Sequence, residues 1–247
     1  MSPREPARLG FTQYLTNHKM PQVAPQLDHL VIAARTLTDA VDWCVETLGV
    51  AAGPGGSHPL MGTHNRLIPI GSAGYPSAYL ELIAIDPSAT PTKSSDDARW
   101  FDLDDANLQE RLLKHGPQLI HWVARVDDLT LALQICNQHR VDIGGAVTAS
   151  RPTPEGILSW QISIRGDGAL QIDGVMPTLI SWGATHPTNA MNDLGVSLTH
   201  VDLQHPEASR LNALWRDLGA QQDSFITSEA GINVQLTTPK GLVTLSS

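Results

Sequence analysis

Two histidines occupy equivalent positions in a sequence that repeats itself. His29 precedes Cys44 by 15 residues, and His121 precedes Cys136 by the same distance. A leucine also follows each histidine after 8 residues. Because an imidazole titrates near neutral pH and is the commonest side-chain ligand of metals, the repeat brings two groups that can carry protons or bind a metal into equivalent places.

A carboxylate forms the third candidate group. Glu81 is the one charged residue in the otherwise apolar segment 79–84. Burying a carboxylate is costly unless a partner neutralises it. That partner could be a metal, a protonated histidine, Arg66 or Arg125, so Glu81 indicates a polar site and leaves its kind open.

Periodic apolar residues predict helices that follow the histidine segments. The first predicted helix carries its apolar residues at i, i+3, i+4, i+7, i+8 and i+11, with Thr36 or Thr38 as N-cap and Gly49 after its end. The second repeats this stripe with Asp127 or Asp128 as N-cap. Since both cysteines lie on these apolar stripes and no CxxC pair occurs, we expect reduced, buried thiols.

A third, looser copy starts near His200 and ends at Gly219. Strand-like segments follow each helix, at 64–70 and 78–85, at 158–164 and 178–182, and at 232–237 and 242–245. Each unit is therefore predicted to run βαββ, with a further strand in some copies. The predicted divisions are an N-terminal extension at 1–26, module one at 27–86, a linker with a short helix at 87–118, module two at 119–187 and a partial third module at 195–247.

Composition excludes several classes of partner. The 247 residues include 25 acidic and 16 basic side chains, with no cluster of Lys or Arg, so nucleic acid is not expected as a partner. Apolar runs such as Leu30–Ala34 are far shorter than the roughly 20 residues that cross a bilayer, so no membrane span is expected. Residues 1–26 lack the apolar segment of a secretory signal, which predicts a cytoplasmic location.

The sequence resembles the glyoxalase-like branch of the vicinal oxygen chelate superfamily. The resemblance is carried by the segments Asp28–Val31, Gly62–Leu67, Tyr79–Ala84, Ile180–Gly183 and His186–Pro187. It covers residues 27–187, with 195–247 as the extra partial module of such proteins. It implies an α+β fold in which tandem βαβββ modules form a curved mixed sheet around a cup-shaped cavity, with a third partial βαββ module at the C-terminus.

The resemblance also implies a metal site. His29, Glu81 and His121 would face one cavity and bind a divalent metal ion such as Zn, Ni, Mn or Fe, and Glu81 would also be catalytic. The sequence departs from the family pattern at 178–182, where metal-binding members carry a second carboxylate and this chain has none. Asp173 lies 52 residues after His121, as Glu81 lies 52 after His29, but its Gly-flanked segment is also typical of a turn.

Four further residues are candidates for substrate contact. His64 and Asn65 belong to the Gly-Thr-His-Asn run, Arg125 shares strand parity with His121, and Gln161 is a candidate cavity-lining amide on the third strand of module two. The expected partner is a small-molecule substrate. The linker is long enough for the cavity to form in one chain or by exchange between two chains, which allows a homodimer.

Three functions are compatible with these residues. The first is a metal-dependent lyase or isomerase that acts on a small metabolite chelated through vicinal oxygens. The second is a metal-free protein of the same fold that binds or sequesters a small molecule, and the third is an Fe(II) ring-cleaving dioxygenase. Phosphate-binding loops, GxSxG elbows and HExxH motifs do not occur in the sequence.

Overall fold

The computed structural model describes residues 25–92 and 98–247, and it confirms the predicted α+β fold with a large curved mixed sheet. The strands are β1 Gln26–Ala33, β2 Gly55–His58, β3 Thr63–Pro69, β4 Tyr79–Ile85, β5 Gln118–Arg125, β6 Gly145–Thr153, β7 Gly156–Ile164, β8 Thr178–Trp182, β9 Ser197–Gln204, β10 Phe225–Ile226, β11 Gly231–Thr238 and β12 Gly241–Ser246. The helices are α1 Leu37–Leu48, α2 Ala106–His115, α3 Leu129–Gln138 and α4 Ala208–Asp217, with a 3₁₀ turn at Pro187–Ala190.

The large sheet has the internal symmetry that the sequence repeat predicts. Its strand order is β2-β3-β4-β1-β5-β8-β7-β6. The two histidine-bearing strands, β1 and β5, pair antiparallel at its centre. Each then pairs in parallel with the last strand of its own repeat, β1 with β4 and β5 with β8. The edge strands β2 and β6 approach each other, so the sheet curves almost into a barrel.

Helices α1 and α3 cover the convex face as their apolar stripes predict. The Thr36 hydroxyl accepts a hydrogen bond from the Asp39 amide at 3.1 Å, and Gly49 ends α1 at a φ of 79°. Asp128 caps α3 in the same way through the Leu131 amide. Cys44 of α1 and Cys136 of α3 are free and buried, and burial raises the pKa of the two thiols to about 11 and about 12.

The linker has a role that its sequence does not reveal. The short helix predicted within it lies at Ala106–His115, with Asp105 accepting a hydrogen bond from the Leu108 amide at 2.7 Å. The residues before it, Trp100 and Phe101, are buried in the apolar cluster on the concave face of the sheet. The described part of the linker therefore fills part of the cup.

The C-terminal residues form a second sheet in the order β10-β9-β11-β12, with α4 between β9 and β10. The boundaries of the modules stay a prediction, and residues 1–24 of the predicted N-terminal extension lie outside the described residues. Among the helices of the described residues, none has the length and apolar character needed to span a bilayer.

Candidate functional site

A β-bulge at the start of β1 places two neighbouring polar residues together. On β5, Ala124 pairs with Leu27 and Val123 pairs with His29, so Asp28 has no partner residue on that strand. Consecutive side chains of a regular strand alternate between faces, and a bulge interrupts that alternation. Asp28 and His29 consequently meet, and the His29 Nδ1 lies 2.7 Å from the Asp28 Oδ1.

Asp28 is fully buried and accepts several hydrogen bonds. Its Oδ2 lies 3.0 Å from both the Trp182 Nε1 and the His186 Nε2, and Arg125 Nη1 lies 3.4 Å away. Burial by itself would raise the pKa of Asp28, but the hydrogen bonds from His186 and His29 hold that pKa well below its usual range. Because an ionised carboxylate can only accept, His29 must donate through Nδ1.

The other nitrogen of His29 is therefore turned to a second carboxylate. The His29 Nε2 lies 3.6 Å from the Glu81 Oε2, beyond hydrogen-bond distance. The Tyr79 ring stacks on the imidazole with centroids 4.6 Å apart. The Asn65 amide donates to the Glu81 Oε1 at 2.7 Å and so fixes the carboxylate. His29 Nε2 and Glu81 Oε2 thus form a pair of proton-accepting atoms. Asp28 orients the imidazole through its other nitrogen, and Asn65 orients the carboxylate through its other oxygen.

His58 lies beside this pair without joining it. Its Nδ1 lies 3.0 Å from the Thr63 hydroxyl, and its Nε2 lies 3.2 Å from the Asn65 amide nitrogen and 4.0 Å from Glu81. Since an amide nitrogen only donates, His58 Nε2 is the acceptor. Burial lowers the pKa of His58 to about 4 although Glu81 raises it, so this imidazole is neutral at pH 7.

His121 does not take the position that the sequence predicts. The backbone amide of Thr178 donates to its Nε2 at 3.0 Å, and its Nδ1 lies 3.0 Å from the Gly174 carbonyl oxygen. Both ring nitrogens are therefore engaged by the backbone. Burial lowers the pKa of His121 to about 3, which keeps the ring neutral. This histidine orders the segment that leads into β8.

The predicted three-residue metal set is consequently not assembled. No group of three or more His, Cys, Asp or Glu side chains within 25–92 and 98–247 is arranged to hold a metal. Among His29, Glu81 and His121, only the first two have a potential metal-ligating atom that makes no hydrogen bond with the backbone. Catalytic zinc and non-haem iron sites take three protein ligands, so these residues do not fit the expected ion. Asp173, the numerical match, is exposed in a turn and pairs with His205 at 3.2 Å.

The pair faces a small cavity of about 30 Å³, which we call the inner cavity. Its lining includes His29, His58, Asn65, Leu67, Tyr79, Glu81, Trp100, Phe101, Arg151, Leu158, Trp160, Ile162, Ile180, Trp182 and Pro187. His121 lines a separate cavity, and Trp100 and Phe101 line both. These two linker residues form the wall between His121 and the His29–Glu81 pair.

The four predicted substrate-contact residues have different positions. Asn65 lines the inner cavity, whereas its neighbour His64 lies on the opposite face of β3, 3.9 Å from Asp86. Arg125 lies behind Asp28 and donates to the Gln26 side chain at 2.7 Å. Gln161 is exposed, since β7 turns the opposite set of side chains inward. Only Asn65 of the four therefore lines the inner cavity.

Several residues that line the inner cavity or support it could not be identified from the sequence. Asp28 would be found only by suspecting a bulge, and nothing in the sequence marks Trp182 as a cavity residue. Trp160 lies on the face of β7 opposite Gln161, and that face is the cavity side. Arg151 lies on β6, a strand without a clear apolar alternation, so no pattern pointed to it.

Comparison with known proteins identifies relatives at the level of family and fold. The model of the glyoxalase-like domain family matches residues 27–219. No curated protein matches the chain. A hypothetical protein from Staphylococcus aureus aligns with a TM-score of 0.53 and 15% identity over 90% of this chain and 85% of its own. Methylmalonyl-CoA epimerase from Mycobacterium tuberculosis aligns with a TM-score of 0.38 and 16% identity over 70% of this chain and 98% of its own.

Proposed function

The chain belongs to the glyoxalase-like domain family, and from that premise we propose that it is an acid–base enzyme of the lyase or isomerase type. Its substrate is a small oxygenated metabolite whose reacting atoms lie in the inner cavity. His29 and Glu81 move a proton on that substrate, and no step is routed through a metal because the residues that the structure describes do not supply a third ligand.

The observation that carries the proposal is the distance of 3.6 Å between the His29 Nε2 and the Glu81 Oε2. A general base needs a free lone pair within reach of the substrate and a partner that fixes its orientation. Asp28 supplies that partner for His29, and Asn65 supplies it for Glu81. In the working form the pair holds one proton, so that one member removes a proton from the substrate while the other returns one to a neighbouring atom.

The cavity walls support this chemistry. Apart from the polar groups around the pair, the lining is largely aromatic and aliphatic, with Trp160, Trp182 and Leu158 among its members. Such walls exclude water. Electrostatic interactions are stronger where water is excluded, and this favours proton transfer between groups held in the cavity. The same walls would also suit a protein that binds a small molecule without turning it over.

Hydrogen exchange tests the proposal directly. Protein dialysed against EDTA is incubated in D₂O with a panel of small 2-oxo and 2-hydroxy carbonyl compounds, and the carbon-bound proton signals are followed by ¹H NMR. We expect exchange with the wild type and a loss of about 100-fold or more in His29→Gln and Glu81→Gln. His200→Gln is the control, because His200 is exposed on β9.

Two results would contradict the proposal. Exchange that begins only after a divalent metal is added would restore the metal-dependent route. Saturable binding of a panel compound without any exchange would instead support the binding protein.

A further inference from the structure

The inner cavity lies next to a second, larger space. This outer groove has a volume of about 340 Å³ and lies between the β6–β7 hairpin and residues 185–191. It shares Leu67, Arg151, Leu158 and Pro187 with the inner cavity, so these four residues lie at the boundary between the two spaces. Arg151 is therefore positioned to bind a molecule that reaches both.

Arg151 is a cation without an ion-pair partner at this junction. Within the described residues Arg151 makes no hydrogen bond, and no carboxylate lies within ion-pair distance of it. The Glu81 carboxylate interacts with it electrostatically from a greater distance. Some other arginines of the described chain are paired, as Arg99 is with Asp104 and Arg165 is with Asp142 and Asp167, whereas the arginines at positions 35, 66, 111 and 140 form no ion pair within the described residues. Arg151 is half-buried, and this burial lowers the pKa of its guanidinium.

A glycine on the opposite edge strand makes room for this guanidinium. A Cβ atom added to Gly56 of β2 would lie 1.9 Å from the Arg151 Nη1. Arg151 therefore lies across the seam between β2 and β6 because residue 56 has no side chain.

A second donor also lacks a partner, and it belongs to Trp100, which lines both the inner cavity and the His121 cavity. The Trp100 Nε1 is buried and makes no hydrogen bond in the described part of the chain. Buried donors are normally satisfied by protein, water or ligand. Two unmatched donors, one of them charged, favour a ligand that brings an anionic oxygen acceptor.

Beyond Arg151 the groove is mostly apolar. Its walls include Pro152, Ile157 and Met191, and the Ile157 side chain is 75% exposed. Resting on the proposed function of the inner cavity, we propose that the ligand is a carboxylate with an apolar chain, whose carboxylate binds Arg151 and whose chain lies in the outer groove. A single guanidinium matches a singly charged carboxylate through two parallel hydrogen bonds.

Calorimetric titration with octanoate tests this inference, and octan-1-ol is the uncharged probe of equal chain length. We expect octanoate to bind the wild type and to lose affinity by about tenfold or more in Arg151→Gln, with the affinity for octan-1-ol unchanged. Gly56→Ala should reproduce the loss by displacing the guanidinium. Gly145→Ala on β6 is its control, because an added Cβ there meets nothing within 4 Å.

A groove variant tests the apolar half of the ligand. Because Ile157 is exposed, Ile157→Asp should fold normally while it weakens both octanoate and octan-1-ol. Absence of octanoate binding to the wild type, equal octanoate affinity in Arg151→Gln, or unchanged affinities in Ile157→Asp would each overturn the inference. Binding needs no turnover, so octanoate binding that depends on Arg151 supports the inference even if hydrogen exchange is absent. If hydrogen exchange occurs but octanoate binding does not depend on Arg151, this inference is refuted and the proposed function is not.

Discussion

Asp28 and His29 are neighbours in sequence, and the bulge in β1 lets the carboxylate of the first accept a hydrogen bond from the Nδ1 of the second at 2.7 Å. This contact determines which nitrogen of His29 is free to act in the inner cavity. The Asp28 carboxylate also accepts hydrogen bonds from Trp182 and His186, more than 150 residues later, and so anchors the first strand of the sheet.

Replacement of Asp28 by Asn should reduce both activity and stability. The amide cannot accept from all of its present donors, so His29 loses its fixed tautomer and buried donors lose their acceptor. We expect hydrogen exchange to fall by about 100-fold and the free energy of unfolding to fall by about 2–4 kcal/mol. NMR exchange and urea unfolding measure the two effects. Asp42→Asn, exposed on α1, should leave both unchanged.

Replacement of Asn65 by Leu should destabilise the protein. The Asn65 amide donates to Glu81, and its oxygen accepts from the Gly56 backbone amide at 2.9 Å. Leucine would leave these buried groups unpaired, at about 1–3 kcal/mol in the free energy of unfolding. Urea denaturation measures this loss. Arg66→Gln, on the exposed side of the same strand, should change stability by less than about 0.5 kcal/mol; an equal loss in both variants would refute the assigned contacts.

Stability should fall as the pH drops from about 6.5 toward 3. His121 has a pKa of about 3 in the folded protein because it is buried, whereas an unfolded histidine titrates near 6.5. Between these values the unfolded state binds the extra proton, so each pH unit lost lowers the free energy of unfolding by up to about 1.4 kcal/mol per such histidine. His58, with a pKa of about 4, acts in the same direction.

Urea midpoints measured from pH 7 to 4 provide the check on this titration. In the His121→Gln variant the urea midpoint should change less with pH than in the wild type, whatever the absolute stability of the variant. In the His200→Gln variant the pH dependence should stay that of the wild type. Parallel curves for wild type and His121→Gln would show that His121 is not held neutral by the fold.

The linker wall should be sensitive to one glycine. A Cβ at Gly168 would lie 1.9 Å from the Arg99 carbonyl oxygen, next to Trp100, and its φ of 67° is already unfavourable for alanine. Gly195 has a similar φ of 74° but only an ordinary contact at 3.8 Å. Gly168→Ala should therefore lower the free energy of unfolding by at least about 2 kcal/mol more than Gly195→Ala. Similar losses in thermal unfolding would argue that residues 98–103 do not pack as described.

The repeat in the sequence predicted two equivalent units, and the resemblance to the vicinal oxygen chelate superfamily implied the curved sheet that the structure has. Histidines at matching positions, each followed by an amphipathic helix, mark the units that begin with β1 and β5. The resemblance also implied that His29 and Glu81 face one cavity, and the two residues do so because β1 and β4 are regular where they pair. These inferences succeeded where local periodicity and the observed geometry agree.

The rest of the site depends on interactions that alternation does not describe. The bulge that brings Asp28 to His29 shifts the register by one residue, and the backbone contacts that engage His121 come from residues 53 and 57 positions later. The wall formed by Trp100 and Phe101 requires the linker to fold into the cup, which its composition does not indicate. Arg151 reaches the cavity only because β6 curves round to β2.

The central claim, that His29 and Glu81 form the reactive centre without His121, is tested most directly by Zn²⁺ titration of the ¹⁵N-labelled protein. Long-range ¹H–¹⁵N spectra report the state of each imidazole nitrogen, with signals assigned through His→Gln variants. The account predicts that the His121 signals remain those of a neutral Nδ1–H ring at every Zn²⁺ concentration. Parallel shifts of His29 and His121 that saturate at one equivalent of Zn²⁺ would contradict it.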